Sequence, residues 1–510
     1  MKTITLQLLL CLAITSTLAF ADPVRIDGGL VQGTIEDGLN VYRGIPFAAP
    51  PVGALRWAAP QPAKAWDGIL PADKFARACV QNPNAIPAIN VPAIEVSEDC
   101  LYLNVWTPAK TAAEKLPVMV WIHGGGFFGG ASLYDLYSGE ELAKMGVVFV
   151  SITYRLGKFG FLAHPELSAE TPYKVSGNYG LLDQVAGLQW VQKNIAAFGG
   201  DPKRVTIFGE SAGGIAVAAL TASPLAQGLF QGAMSESGGF LGVPGDGNLL
   251  TLQSAEQDGL AFAKSIGAAS LADLRKLTAD QIFKASSNGW PIIDGYVIPD
   301  DQYKLYQAGK YNDVPLLIGT NSNEGAAFSR PITPEQYQAG IRQRFGSHAD
   351  TILKLYPGAT PEQAAKANGD IMRDSTFAWA TWAWARLQTQ TGKAGVYLYY
   401  FDQSPPTALG TGASHGAEMP FVFKHLKQRD TQWRPEDYQL SETVAAYWVN
   451  FAKNCDPNGG NLPKWPAFKD GAPTVMHLKG QPQAGPVPKL ELLQAMEDYF
   501  ASRRSPEGAK

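Results

Sequence analysis

The sequence lacks runs of basic residues and has few charged residues of either sign. Only 17% of its 510 residues are charged, and the formal net charge is −4. A nucleic-acid partner is therefore not expected. The hydrophobic content of 45% is typical of a globular protein without a long disordered tract. The 53 Gly and 36 Pro indicate many turns and long surface loops rather than a helical bundle.

Long apolar runs are also absent after the first residues of the chain. Lys2, the apolar run 8–14 and the small residues Ala19 and Ala21 predict a signal peptide over residues 1–21, with cleavage after Ala21. A membrane anchor is the alternative, but the run is shorter than the roughly 20 residues that a membrane span needs. Lipidation of Cys11 fits the preceding sequence poorly. We expect a secreted or periplasmic protein without a stable membrane anchor.

Cysteine is scarce, and three cysteines remain after the predicted cleavage. Cys79 and Cys100 are close in sequence, and in an oxidising compartment they are the natural disulfide. Closing this loop would stabilise the fold by roughly 3 kcal/mol in the chain-entropy model. Cys455 is left over, and we expect a quiet thiol because no neighbouring residue would activate it as a nucleophile.

Ser211 stands in the most informative stretch of the chain. The sequence Gly209-Glu210-Ser211-Ala212-Gly213 follows a β-favouring run at 205–208 and precedes a small-residue helix at 215–220. Strand, sharp turn and helix are the context of a nucleophile elbow, in which the serine is strained and the glycines let backbones pass close by. The alternative is a chance Gly-x-Ser-x-Gly among many glycines, and the flanking elements argue against it.

A glycine-rich turn is the candidate for the oxyanion hole that a serine nucleophile needs. The buried strand 117–122 runs into His123-Gly124-Gly125-Gly126-Phe127. Backbone N–H groups of Gly125 and Gly126, together with that of Ala212, would bind the oxyanion. The alternative is a plain glycine-rich hairpin, which would require neither His123 nor the preceding strand.

The histidine must follow both Ser211 and the acid in the order that this elbow type uses. His415 lies in a flexible Gly-rich loop after a strand, where a general base would be presented. The other downstream histidines are more often structural in such settings: His348, His425 and His477.

Glu324 is the preferred acid, because it follows a strand end that runs into a polar loop. There it can orient His415 and stabilise the imidazolium. Asp294 and Glu418 are the alternatives. Three further polar residues are expected to position Ser211, His415 and Glu324 without contacting the substrate: Glu210, Ser237 and Glu418.

Strands alternate with helices along the chain and predict one α/β domain over residues 22–510. Polar-faced helical stretches at 245–285 and 333–390 are expected as insertions over the site, and 42–53 as an extended loop. A helix is expected at 183–198 and a closing helix at 490–504. Strands are expected at 98–106, 117–122, 147–153, 205–208, 233–235, 314–319, 395–400 and 475–478.

The chain resembles the type B carboxylesterases, the family of carboxylesterases and cholinesterases, from about Val24 to Phe500. The resemblance rests on motifs in one fixed order, at 43–48, 98–105, 123–127, 177–184, 198–202, 209–213, 323–325 and 415–418. It implies the α/β-hydrolase fold, a central mostly parallel sheet flanked by helices. It also implies the triad Ser211, Glu324 and His415, the oxyanion hole of Gly125, Gly126 and Ala212, and the disulfide Cys79–Cys100.

Two departures from the cholinesterases bear on the substrate. Cholinesterases carry a tryptophan in the disulfide-closed loop, where its π face binds quaternary ammonium. Here the loop 80–99 contains no aromatic residue, so choline esters are not expected. The aromatic residues that narrow the cholinesterase acyl pocket fall near Ser286 and Ser287, which implies a roomier pocket with Trp290 and Phe127. Esters with bulky or aromatic acyl groups, such as feruloyl-type or synthetic esters, are therefore expected.

The predicted function is hydrolysis of small-molecule carboxylic esters through an acyl-enzyme, with no metal or organic cofactor implied. An amidase or another acyl hydrolase with the same triad is the first alternative. A non-catalytic binding or adhesion protein of this fold is a remote one, because such proteins have lost triad residues. The oligomeric state is expected to be a monomer or a weak dimer.

Overall fold

A sheet of 12 strands forms the centre of the computed structural model, which describes residues 19–83, 94–243, 249–286, 288–408, 410–428 and 431–504. In chain order, the strands of the described ranges are β1 (Ala19–Phe20), β2 (Val24–Ile26), β3 (Gly29–Gln32), β4 (Thr34–Glu36), β5 (Leu39–Pro46), β6 (Ile69–Pro71), β7 (Ala78–Cys79), β8 (Val96–Ser97), β9 (Tyr102–Thr107), β10 (Leu116–Ile122), β11 (Val148–Ile152), β12 (Gly200–Glu210), β13 (Gly232–Glu236), β14 (Leu250–Thr251), β15 (Ile292–Ile293), β16 (Leu316–Asn321), β17 (Val396–Phe401), β18 (Thr474–Leu478) and β19 (Gln483–Pro486). Seven of these lie outside the large sheet and form three small sheets: β2 with β3 and β6, β7 with β8, and β14 with β15.

The strand order in the large sheet is β1-β4-β5-β9-β11-β10-β12-β13-β16-β17-β18-β19. Neighbours from β11 to β18 are parallel, and the pairs outside this block are antiparallel. The prediction of a mostly parallel sheet in an α/β fold is confirmed. Because ligands bind beyond the carboxyl ends of parallel strands, the loops after β12, β13, β16 and β17 are where a site is expected.

Helices cover both faces of the sheet. They are α1 (Glu140–Lys144), α2 (Gly157–Phe161), α3 (Pro165–Glu170), α4 (Tyr179–Asn194), α5 (Ala212–Ala222), α6 (Leu252–Ser265), α7 (Leu271–Lys276), α8 (Ala279–Ala285), α9 (Gln302–Gln307), α10 (Pro334–Phe345), α11 (Ala349–Leu355), α12 (Pro361–Arg373), α13 (Trp379–Thr391), α14 (Met419–Val422), α15 (Pro435–Asn454) and α16 (Leu490–Arg504). The predicted helix-rich stretches 245–285 and 333–390 are confirmed over their described residues, with one π-helical segment at Asp374–Ala378.

Strand β10 shows why the central strands read as continuous apolar runs. Val120 and its alternate neighbours pack into the core layer that contains α4 and α5. Met119 and Trp121 point to the opposite layer, which contains α15. Successive side chains of a strand face opposite sides of the sheet, so a strand covered on both sides is apolar at every position.

Two sequence expectations near the N-terminus were wrong in their bounds. The stretch 42–53 was expected as an extended loop, yet β5 continues to Pro46 and pairs with β9. The register shifts between Tyr42 and Ile45, and Gly44 has φ 72°. Glycine and proline thus occupy a β-bulge and a strand end, where sheets tolerate them. The strand expected at 98–106 begins only at Tyr102.

The predicted disulfide Cys79–Cys100 is present, with Cα atoms 5.0 Å apart. Cys455 is a half-buried free thiol whose Sγ lies 3.7 Å from the Gln231 carbonyl oxygen, and burial raises its pKa.

Residues 1–18 of the predicted leader lie outside the described residues. The next two residues form β1, which pairs with β4. None of the helices in the described ranges combines the length and apolar character that crossing a membrane requires.

Candidate active site

Ser211 occupies a sharp turn between β12, which ends at Glu210, and α5, which begins at Ala212. Its backbone has φ 57° and ψ −123°, a conformation that side-chain-bearing residues rarely adopt. The turn is held on both sides, because Ser211 N donates to the Glu236 carbonyl at 2.8 Å and the Ser211 carbonyl accepts from Ile215 N at 2.8 Å.

The two elbow glycines are required by close backbone approach. A methyl group on Gly213 would lie 2.0 Å from the carbonyl oxygen of Ile122, and one on Gly209 would lie 2.6 Å from the same atom. The carboxyl end of β10 therefore passes directly against the elbow. Only glycine fits at these positions without displacing backbone.

The tri-glycine turn lies beside the elbow. A methyl group on Gly124 would come within 3.3 Å of Ser211 Cβ. Gly125 and Gly126 have φ 107° and 63°, and no hydrogen bond among the described residues uses their N–H groups. Ala212 is the first residue of α5, so its N–H has no partner within the helix. Three backbone donors are thus available close to Ser211.

His123 supports this turn from the core side. Its ring is buried, stacks on Tyr154 at 4.4 Å between centroids, and lies 2.9 Å through Nδ1 from the Gly124 carbonyl. The Tyr154 hydroxyl donates to the His123 carbonyl at 2.7 Å. Burial lowers the pKa of His123 to about 4, so the ring is neutral at physiological pH.

His415 and Glu324 are in direct contact. His415 Nδ1 lies 2.6 Å from Glu324 Oε2, and Glu324 is fully buried. The other carboxylate oxygen of Glu324 accepts from Asn321 N at 2.7 Å and from the Ser237 hydroxyl. Both oxygens therefore have donors, as a buried carboxylate requires.

The second ring nitrogen of His415 faces the elbow. His415 Nε2 lies 3.3 Å from Glu210 Oε1, and it is buried without a hydrogen-bond partner among the described residues. Burial alone would lower the pKa of His415, but the carboxylates of Glu210 and Glu324 outweigh it and raise the pKa to about 9. No hydrogen bond among the described residues joins Ser211 to His415.

Three more glutamates surround this pair within the core. Burial raises the pKa of Glu210 to about 7 and that of Glu236 to about 8, and raises that of Glu418 well above its ordinary value. Glu236 accepts from Trp448 Nε1 at 2.9 Å, and Glu418 accepts from the Asn321 side chain. Burial, together with the neighbouring carboxylates, thus disfavours the charged forms of Glu236 and Glu418.

Two phenylalanines that the sequence did not single out flank the histidine. The rings of Phe328 and Phe377 lie 5.2 and 4.8 Å from that of His415, between centroids. Phe328 lies four residues after Glu324, and this short spacing could have predicted its place near the site. Phe377 comes from the π-helical segment Asp374–Ala378, a feature often found at functional sites, and no local pattern predicts that segment.

Phe128 is a third aromatic residue that the sequence did not single out. Its side chain is 44% exposed, and a methyl group on Gly126 would lie 2.4 Å from its ring. The ring therefore covers one side of the glycine turn while facing solvent.

The residues expected to form the acyl pocket are partly in contact. Phe127 is fully buried and makes edge-to-face contacts with Phe161 at 5.1 Å and Trp290 at 5.2 Å. Ser286 caps the end of α8 and accepts from Asn288 N at 3.3 Å. Ser287 lies outside the described residues.

The alternative acid Asp294 stabilises the backbone turn that follows it. Its Oδ1 accepts from the backbone N–H groups of Tyr296, Val297 and Ile298.

The alternative histidines also contact other groups. His425 Nδ1 lies 3.0 Å from the Leu136 carbonyl, and His477 Nε2 lies 3.0 Å from the Pro486 carbonyl. His348 packs edge-on against Tyr499 at 5.9 Å.

Across the described ranges, no group of three or more His, Cys, Asp or Glu side chains could hold a metal ion. The buried glutamates around His415 do not form such a group.

Comparison with known proteins decides the family. The model of the carboxylesterase family matches residues 21–498. The chain belongs to the carboxylesterase family. As a carboxylesterase, it is an enzyme that hydrolyses carboxylic esters. The resemblance read from the sequence motifs is thereby confirmed.

Similar carboxylesterases come from bacteria and mammals. Fumonisin B1 esterase of Sphingopyxis macrogoltabida is 38% identical over 86% of this chain and 83% of its own length. Para-nitrobenzyl esterase of Bacillus subtilis (strain 168) is 37% identical over 87% and 91%. Cocaine esterase of Homo sapiens is 35% identical over 93% and 91%.

Solved structures of PNB esterase share the fold of this carboxylesterase. One is 35% identical with a TM-score of 0.81, over 93% of this chain and 99% of the other. A thermophilic PNB esterase is 34% identical with a TM-score of 0.82 over the same shares. The fold is the α/β-hydrolase fold, as the sequence motifs implied.

Proposed function

We propose that this carboxylesterase acts by two-step acyl transfer with Ser211 as nucleophile, His415 as general base and acid, and Glu324 as the orienting carboxylate. The contact of 2.6 Å between His415 Nδ1 and Glu324 Oε2 is the observation that carries most weight. A buried carboxylate that holds Nδ1–H leaves Nε2 as the nitrogen that accepts a proton.

In the first step His415 Nε2 removes the hydroxyl proton of Ser211 while Oγ attacks the ester carbonyl. The imidazolium then gives this proton to the leaving alcohol, and the acyl group stays on Ser211. Water repeats the sequence and releases the acid. Glu324, in contact with Nδ1, stabilises the imidazolium.

The oxyanion would be held by the N–H groups of Gly125, Gly126 and Ala212. Two observations support this assignment: the adjoining Gly124 lies close to Ser211 Cβ, and no hydrogen bond among the described residues uses the N–H groups of Gly125 and Gly126. Removing one donor from such a hole costs on the order of 10²–10³ in turnover.

The nucleophile and the base are not hydrogen-bonded to each other before substrate binds. His415 Nε2 faces Glu210 at 3.3 Å, and Ser211 follows Glu210 directly in the chain. Catalytic hydrogen bonds are often long before substrate binds and tighten in the complex. Glu210, Ser237 and Glu418 would act through His415 and Glu324 rather than on the substrate.

The acyl preference is proposed to be for bulky or aromatic groups and against choline esters. Small Ser286 at the expected narrowing position supports a wide pocket, and Phe128 and Phe328 offer exposed aromatic faces near the site. Two of the relatives are named as esterases of fumonisin B1 and of cocaine.

We further propose export of a single domain over residues 22–510 after removal of residues 1–21. The Cys79–Cys100 disulfide suits an oxidising compartment. Amino-terminal sequencing of the exported protein is expected to begin at Asp22, and an intact leader would contradict this.

The mechanism is tested with a panel of p-nitrophenyl esters, from acetate to long-chain and aromatic acyl groups, before and after treatment with a serine-directed organophosphate. Loss of hydrolysis together with one labelled serine at position 211 is expected. Ser211→Ala should abolish turnover while circular dichroism stays unchanged. Full activity of this variant would refute Ser211 as the nucleophile, and a sharp preference for acetate would refute the wide acyl pocket.

A further inference from the structure

An open groove lies beside the His415 end of the site, and the proposed mechanism makes no use of it. Its volume is about 570 Å³. One wall is the segment that includes Arg330, Pro331 and Ile332, and the other is the start of α12 with Pro361 and Glu362. The walls are mostly apolar, with one cation and one anion among them.

The groove begins at Ser329, directly after the residue whose ring lies beside His415. Ser329, which lines it, is the residue after Phe328, and the Phe328 ring lies 5.2 Å from that of His415. Phe328 itself is 43% exposed. The Ser329 hydroxyl donates to the Ala365 carbonyl at 3.0 Å and joins the two walls. The groove therefore begins one residue beyond an aromatic ring that lies next to His415.

The two charged residues of the groove, Glu362 and Arg330, differ in their hydrogen-bond partners. Glu362 receives hydrogen bonds from its own backbone N–H and from the Thr360 hydroxyl, and these lower its pKa. The exposed Arg330 guanidinium has no hydrogen bond or ion pair with any described residue, and it is not paired with Glu362. Its five donors therefore have no partner among the described residues, and the guanidinium fork matches a carboxylate in geometry.

We propose that the groove receives the distal part of the substrate and that Arg330 selects esters carrying a carboxylate or a similar anion away from the scissile bond. The apolar walls contact the linking chain, and the guanidinium binds the terminal anion. This selectivity rests on the proposed Ser211 mechanism, because the groove can receive part of the substrate only if the ester is held at Ser211, beside His415.

The test uses matched pairs of esters. One set compares p-nitrophenyl monoesters of dicarboxylic acids, succinate to sebacate, with p-nitrophenyl alkanoates of equal chain length. A second set places the carboxylate on the alcohol side of the ester. It compares acetyl esters of ω-hydroxy acids with acetyl esters of alcohols of equal chain length. Hydrolysis in this set is measured from the release of acid. The kcat/KM ratio of acidic to neutral ester is the quantity measured.

Arg330→Ala is expected to lower this ratio about 5-fold in at least one set, the upper range for one exposed charge pair. Glu362→Gln, on the facing wall, is expected to raise it. Added salt should bring the wild-type ratio toward that of Arg330→Ala, because screening weakens exposed charge pairs.

Arg25→Ala is the matched control, an exposed arginine on β2, and it should leave the ratio unchanged. Equal ratios for wild type and Arg330→Ala in both sets would overturn the anion selectivity. Hydrolysis of both ester types that persists in Ser211→Ala would instead overturn the mechanism beneath it.

Discussion

Glu210 precedes the elbow serine in the chain, and its carboxylate reaches His415 Nε2 at 3.3 Å. A general base must be unprotonated to accept the serine proton. The negative charge of Glu210 holds a proton on His415, whose pKa is raised to about 9. At the scale of single residues, Glu210 would therefore restrict the pH range in which His415 can act as the proposed base.

Glu210→Gln is expected to move the ascending limb of kcat/KM to lower pH by about one unit, the usual size for one neighbouring charge. Without the Glu210 charge the imidazolium is less stable, so His415 loses its proton at lower pH. The measurement is the pH–rate profile with an uncharged ester. Glu491→Gln, at an exposed position on α16, is the control. An unchanged limb in Glu210→Gln would show that this carboxylate does not control the base.

At the scale of elements, the candidate site collects at the carboxyl ends of neighbouring strands. Ser211 follows β12, Ser237 follows β13, Glu324 follows β16, and His415 lies in the loop after β17. These strands are adjacent in the sheet. The register between these strands therefore brings the loops that carry the four residues to one edge of the sheet.

Gly213→Ala is expected to destabilise the fold by more than about 2 kcal/mol, because the new methyl group would meet backbone of β10 that cannot retreat. Gly340→Ala is the matched control on α10, where nothing lies within 4 Å of the added methyl group. That control should stabilise by roughly 0.5–1 kcal/mol through helix propensity. Urea unfolding of both variants gives the comparison, and equal effects would contradict the close packing of the elbow on β10.

Local chemistry explains what the sequence could predict at this scale. The elbow, the tri-glycine turn and the buried strands depend on residues adjacent in the chain, and their patterns are legible there. The β-bulge at Gly44 depends on pairing with β9, so the expected loop at 42–53 begins only after Pro46. Phe377 reaches His415 only through the π-helical segment of a distant insertion, and sequence spacing contains no trace of that contact.

At the scale of the whole molecule, the buried glutamates make stability depend on pH. Glu236 holds its proton up to about pH 8 in the folded state, whereas an unfolded glutamate loses it near its ordinary value of 4.5. Between these values the folded state binds more protons, so the free energy of unfolding falls as pH rises.

Glu236→Gln is expected to reduce this fall between pH 5 and pH 8 by on the order of a few kcal/mol, since each pKa unit corresponds to about 1.4 kcal/mol. The amide keeps an acceptor for Trp448 and cannot ionise. Urea unfolding at the two pH values, with Glu491→Gln as the control, measures the difference. Parallel losses of stability in both variants would exclude Glu236 as the source.

The site residues come from strands that are neighbours in the sheet but distant in the sequence, and this affects how the enzyme folds. His415 and Glu324 are 91 residues apart in sequence, and Ser237 and Glu324 are 87 apart. Contacts between distant residues close late and slowly when a chain folds. Recovery of esterase activity after dilution from denaturant should therefore lag behind the return of helical circular dichroism, so that turnover reports when the last strands have docked.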